Sequence, residues 1–162
     1  IVNDEFIVSY SDIFYSSDVI SSLKDATGDI VITYDRNWLE LWSTRFDNPL
    51  SDAETFKLDS TGMLKEIGKR TKSLDDIEGQ FMGLLKFSHK GWGLTKRILD
   101  NLSQNTVNNM DMTSLLDLIL QNDISIDVVP IDEGWGELDS EQDLAAYEKL
   151  LCRDAFSWMN KN

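Results

Sequence analysis

The 162 residues carry 29 acidic against 15 basic side chains, a formal net charge of −14. That balance excludes a broad nucleic-acid-binding surface, which needs stripes of Lys and Arg against the phosphates. It does not exclude a small phosphorylated ligand, because one bound divalent cation reverses the local field. A hydrophobic content of 41% with 10% aromatics is that of one folded domain with a proper core.

In chain order, the start Ile1-Val2-Asn3-Asp4-Glu5 has no Met and no basic region of a signal peptide. It runs at once into Phe6-Ile7-Val8, an apolar run expected of a strand covered on both faces, as if the chain were cut within a fold. Such a cut would leave the strand from Phe6 to Tyr10 with an exposed apolar edge. Ser16 or Ser17 caps a helix carrying Val19, Ile20 and Leu23, and Gly28 closes it. Asp29 to Asp35 is a β-branched strand, which makes a βαβ unit with a parallel pair. Trp38, Leu39, Leu41 and Trp42 then recur at helical spacing between Arg36 and Arg45.

The middle predicts an antiparallel hairpin, with Phe56-Lys57-Leu58 and Leu64 to Ile67 flanking Asp59-Ser60-Thr61-Gly62. Gln80 to Phe87 is a strongly apolar strand, and His89 falls in a glycine-containing loop. Helical patterns run from about Leu94 to Leu102 and from Thr113 to Leu120, the second capped by Asp111 or Thr113. Ile124 to Ile131 alternates as a strand whose Pro130 marks an end or an edge. The order is α/β, parallel units first and a mixed region after. Cys152, alone and among apolar residues, reads as a buried thiol of a reducing, cytoplasmic compartment. Phe156 and Trp158 pack on this domain or on a neighbour in an oligomer. No apolar stretch reaches the ~20 residues a membrane span needs.

Strand ends are where ligands collect in an open α/β sheet. The first strand ends in Ser9-Tyr10-Ser11-Asp12, the second in Tyr34-Asp35-Arg36, and a late one in Glu137 and Asp139. Glu137 and Asp139, two apart, point to the same side of an extended chain. Ser140 with Asp143 then makes a capping-box-like start to a helix carrying Leu144, Tyr147, Leu150 and Leu151. Any one such acid is more often a cap. Several at one edge suit a hard cation such as magnesium, held by one or two carboxylates and substrate phosphates.

Ile7-Val8-Ser9-Tyr10-Ser11-Asp12 resembles the (Y/V)xGD strand end of the sugar-phosphate and phosphocholine nucleotidyltransferases, with Ser11 where Gly is usual. Ile67-Gly68-Lys69 and then Glu78-Gly79-Gln80-Phe81-Met82-Gly83-Leu84 resemble the family's second signature. Gly134 to Leu144 is similar to its late (W/Y)xEIDxxxDL motif. The leading LAAGxGxR loop and Pro-Lys pair of these enzymes are absent, and Gly91-Trp92-Gly93 is no substitute.

The resemblance implies a Rossmann-like mixed, mostly parallel sheet with an inserted antiparallel hairpin, truncated at the N-terminus. Residues 1–162 would be a single domain, the C-terminal portion of a catalytic domain. It implies Asp12 and Asp139 as magnesium ligands, Glu137 beside them, and Lys69 on the acceptor's phosphoryl group. The activity implied is transfer of a nucleotidyl group, CMP from CTP, to a phosphorylated or phosphono small molecule, with release of pyrophosphate. Asp35, Trp38, Glu78, Gly79 and Trp135 would line the acceptor site. Aromatic and acidic side chains favour an amine through cation–π attraction of about 0.5–2 kcal/mol per contact. That combination resembles the branch activating phosphocholine or 2-aminoethylphosphonate, some of whose members are fused to phosphoenolpyruvate mutase. Trp38 and Trp42, four apart, also fit the buried stripe of a helix. Two other readings stand beside this one: a sugar-1-phosphate nucleotidyltransferase, and an inert regulatory or assembly module. An inert module would leave Asp12 and Asp139 far apart or answered by Arg or Lys.

Overall fold

The computed structural model describes residues 4–151, and side chains as far as residue 149. Cys152, Phe156, Trp158 and the side chains of Leu150 and Leu151 lie outside the described residues. The chain order is β1 (Phe6–Ser9), β2 (Ile13–Tyr15), α1 (Ser17–Asp25), β3 (Ile30–Asp35), α2 (Trp38–Arg45), β4 (Glu54–Leu58), β5 (Leu64–Arg70) and β6 (Gln80–Phe87). It continues with α3 (His89–Asp100), α4 (Gln104–Asn108), α5 (Met112–Gln121), β7 (Asp127–Ile131), β8 (Trp135–Glu137) and α6 (Glu141–Leu151). No helix among the described residues is long and apolar enough to cross a membrane.

The main sheet runs β1-β6-β3-β7. Only the β3–β7 pair is parallel; β6 is antiparallel to both of its neighbours. This corrects the mostly parallel sheet expected from the sequence. β1 and β3 do point the same way around α1, but β6, whose Leu84 carbonyl accepts from Thr33 Oγ1 across 51 residues of sequence, lies between them. The run Phe6-Ile7-Val8 is half-buried at the sheet edge, with Ile7 packed on one face of the sheet and Phe6 and Val8 on the other.

Alternation along β3 explains the two cores. Ile30, Ile32 and Tyr34 face one side, packed with Phe56, Ile67, Leu85, Phe87, Leu116 and Ile119. Val31 faces the other side with Val19, Leu23, Trp38, Trp42, Met82, Leu84 and Trp135. Helices α1 and α2 thus cover one face, while α3, α5 and the β4–β5 hairpin cover the other. All of β3 is buried, as its β-branched run predicts. The β3–β6 register slips between Ile32 and Tyr34, opposite Gly83, whose φ is 76°.

Local signals were mostly correct. The hairpin forms its own two-stranded sheet, and Asp111 caps α5 by accepting from Ser114 N at 2.7 Å. Two readings are corrected. His89 opens α3 and is not in a loop, because Ser88 accepts from Gly91 N at 3.0 Å and Gly91 lets the helix touch Asp29: a Cβ there would sit 1.9 Å from that carbonyl. The last strand of the main sheet starts at Asp127, not Ile124, with exposed Pro130 on its outer edge. On the last helix Leu144 is 51% exposed, whereas Tyr147 is buried.

Candidate functional site

Two short strands bring the ends of the chain together. β2 pairs antiparallel with β8, placing Ile13 opposite Glu137, and Leu138 N donates to the Asp12 carbonyl at 2.9 Å. The exposed Asp12 is thereby set beside the Glu137-Leu138-Asp139 strand end. Just before it, Tyr10 N donates to the Gly83 carbonyl at 2.9 Å, and its ring packs edge-on against Phe81. Burial pushes the Tyr10 phenol up to about 12, and the charges of Asp111, Glu137, Asp12 and Glu54 add to it. The group stays a protonated donor at neutral pH.

The late motif is locked by a capping box. Asp143 accepts from Ser140 N at 2.9 Å and from Asp139 N at 3.0 Å, and Ser140 Oγ accepts from Asp143 N at 3.2 Å. Into this turn reaches Arg45, the last residue of α2. Its guanidinium, with the side chain 0% exposed, donates to Glu137 and Asp139 at 2.6 Å and to Asp143 at 2.9 Å. It also lies over the rings of Trp42 and Phe46, 5.5 and 5.0 Å from their centres. Burial raises the Glu137 carboxyl above its usual range even though Arg45 pulls the other way. Burial likewise raises Asp143, but hydrogen bonds from Arg45 and Ser140 outweigh it and leave that carboxyl low.

The other expected site residues are placed as follows. Asp35 and Trp135 are both buried and bonded to each other: Trp135 Nε1 donates to Asp35 at 2.9 Å, and Asn37 N donates to the other carboxylate oxygen at 2.7 Å. Burial lifts Asp35 to about 6 against those two bonds. Trp38, 4% exposed, stands in the core edge-on to Trp42, so its burial departs from a substrate-facing role. Glu78 accepts from Leu58 N at 3.1 Å and ties the hairpin to β6. Gly79 is a close approach, where a Cβ would lie 2.3 Å from the Tyr34 ring. Lys69 is exposed on the hairpin, 3.5 Å from Glu66.

Asp12, Glu137 and Asp139 are therefore brought together, while Asp35, Trp38 and Trp135 form the support beneath them. Arg45 was not singled out by sequence reasoning, yet a signal existed. Trp38, Trp42 and Arg45 fall at i, i+4 and i+7 on one stripe, and a cation on a buried stripe requires acids to meet it. Asp12 and Asp139 lie on paired strand ends, and Asp139 has the arginine partner that the inert reading expects.

A cavity of about 180 Å³ lies between the main sheet and the hairpin, lined by Tyr10, Trp42, Glu54, Arg70, Phe81 and Glu137 among others. A larger cleft of about 790 Å³ opens at the start of α1 beside Asp132 and Glu133, and none of the expected site residues lines it.

No family model matches the chain. A CTP:phosphoglutamine cytidylyltransferase of Campylobacter jejuni is 36% identical over 146 residues, covering 86% of this chain and 57% of that protein. Among solved structures, the inositol-1-phosphate CTP transferase of T. maritima superposes with a TM-score of 0.61 at 16% identity, over 95% of this chain and 58% of that one. A Bacillus anthracis structure assigned as a glucose-1-phosphate thymidylyltransferase, in complex with sucrose, superposes with a TM-score of 0.64 at 12% identity, over 91% and 55%. The chain spans little more than half the length of each of these relatives. Over the part it contains, the chain is a homologue of a cytidylyltransferase by sequence and shares the fold of solved nucleotidyltransferases.

Proposed function

We propose that this chain supplies the acceptor side of a cytidylyltransferase that moves CMP from CTP to a small phosphorylated acceptor and releases pyrophosphate. The observation that carries the reading is the β2–β8 pairing, which sets Asp12 beside Glu137 and Asp139. CTP as donor is favoured by the Campylobacter relative, and the same relative favours a phosphorylated amino acid such as phosphoglutamine over phosphocholine, 2-aminoethylphosphonate or a sugar 1-phosphate as acceptor.

The donor set at this strand end is carboxylate oxygen, which fits magnesium. Asp12 and Asp139 would hold it, and Asp139 is half-exposed with one oxygen on Arg45. Among the described residues no group of three or more His, Cys, Asp or Glu side chains is arranged to hold a metal by itself. A magnesium ion here would take most of its shell from water and substrate phosphates. When bound, it would neutralise charge on the phosphates during in-line displacement. Lys69, at the exposed end of β5, would meet the acceptor's phosphoryl group as a point charge.

The bond between Arg45 and Asp139 favours a second reading, an inert module whose acids are structural. The two are separated by assaying the protein in full for pyrophosphate release. CTP and magnesium are supplied with phosphoglutamine, phosphocholine, 2-aminoethylphosphonate or glucose 1-phosphate. Release with phosphoglutamine, lost in Asp12→Asn and Asp139→Asn variants that keep their circular dichroism, is the expected result. No release with any acceptor leaves the inert module, and release with glucose 1-phosphate alone overturns the acceptor.

A further inference from the structure

Glu54 and Arg70 are register partners across the β4–β5 hairpin, the position where opposite charges on one face usually pair. Here they make no ion pair. Arg70 donates only to the Ser51 and Asp52 carbonyls, at 3.2 Å each, and has no carboxylate partner among the described residues. Both side chains line the 180 Å³ cavity as neighbours on the hairpin, and Glu137 from β8 lines it too. Tyr10, Trp42 and Phe81 supply its aromatic walls. Burial raises the Glu54 carboxyl, against a hydrogen bond from Thr113 and the charge of Arg70, so it gains from a cation that enters.

This space lies below the ~300–1,000 Å³ of pockets that take drug-sized ligands, so it fits an amino acid and not a nucleotide. A guanidinium with no carboxylate partner among the described residues, beside a partly buried carboxylate in an aromatic-walled slot, complements a zwitterion. A guanidinium matches a carboxylate through its planar fork. We infer that this cavity is the subsite for the amino-acid head of the acceptor, with Arg70 taking its α-carboxylate and Glu54 its α-ammonium. The inference rests on the phospho-amino-acid acceptor proposed above and assigns which residues select it.

The test uses the 162-residue chain and three probes of one skeleton, followed by NMR titration. L-glutamine carries both charges, 4-aminobutanamide lacks the carboxylate, and glutaramic acid lacks the ammonium. L-glutamine is expected to bind the wild-type chain more tightly than either truncated probe. Arg70→Gln should weaken L-glutamine about tenfold or more and leave 4-aminobutanamide unchanged. Glu54→Gln should do the reverse, weakening L-glutamine and sparing glutaramic acid. No binding of L-glutamine to the wild-type chain, or equal losses for all three probes in Arg70→Gln, overturns the subsite. The pyrophosphate assay reads the transferase proposal separately. Release with phosphoglutamine that Arg70→Gln leaves unaltered sinks the subsite alone, and discriminating L-glutamine binding without any release sinks the transferase alone.

Discussion

Arg45 and Asp139 are joined by a 2.6 Å ion pair across 94 residues of sequence. The same guanidinium holds Glu137 and Asp143, so the end of α2 and the late acidic motif move as one unit. Arg45→Met leaves two poorly exposed carboxylates without a counter-charge and should destabilise the fold by about 3 kcal/mol. Asp139 adds little to that figure, since a half-exposed carboxylate is rescued by water. Arg45→Lys restores only part, because one ammonium cannot fork to three acids. Urea denaturation of the three proteins measures this, and a loss below about 1 kcal/mol for Arg45→Met contradicts it.

Asp35 gives the fold a pH dependence of unusual sign. Burial raises its carboxyl from 3.8 to about 6 in the folded chain, against bonds from Trp135 and Asn37. Between those values the folded state holds a proton that the unfolded state has lost. Its contribution to stability is therefore full near pH 4, falls as pH rises, and is spent above about pH 6. The swing is on the order of 3 kcal/mol. Other carboxylates titrate in the same window, so the difference between wild type and Asp35→Asn isolates it. That difference should fall with rising pH across the window; a flat or rising difference contradicts the assignment.

What the sequence revealed was local. The β-branched run to Asp35, the Ser140–Asp143 box and the hairpin about Asp59 to Gly62 each follow from neighbours in the chain, and each forms where the pattern places it. The strand order did not follow, because the partner of both β1 and β3 is a strand encoded far downstream. Nothing in the pattern of Phe6 to Asp35 announces that insertion. Asp35 with Trp135, 100 residues apart, was legible as two polar or aromatic site candidates but not as a bonded pair. Trp38 looked equally like a ligand wall or a helix stripe, and burial separates those two where spacing cannot.

Gly83 sits at φ 76° against the Tyr10 ring, where a Cβ would lie 2.6 Å from two ring carbons. Alanine there meets two costs: a left-handed backbone and an overlap with a ring that packs against Phe81. Together they predict a loss of about 2–4 kcal/mol. The Tyr10 ring resonances should shift, since the ring is the only part able to yield. Because Tyr10 leads directly to Asp12, acceptor turnover should fall as well. A Gly83→Ala protein within about 0.5 kcal/mol of wild type and with an unmoved Tyr10 ring contradicts this account.

Lys69 separates a role in the fold from one in chemistry. Its backbone N–H donates to Thr55 Oγ1 at 3.2 Å and helps fix the hairpin, which no side-chain change disturbs. The ammonium is exposed and only 3.5 Å from Glu66, a pair worth little in water. Lys69→Met should therefore alter stability by less than about 0.5 kcal/mol. If its ammonium meets the acceptor's phosphoryl group, the same change should raise the acceptor KM by about tenfold, the scale of one charge-assisted hydrogen bond, and leave the KM for CTP unchanged. Steady-state kinetics with each substrate varied in turn reads the split. Equal rises in both constants would assign Lys69 to general electrostatics, and no rise in either would leave it a solvated residue of the hairpin.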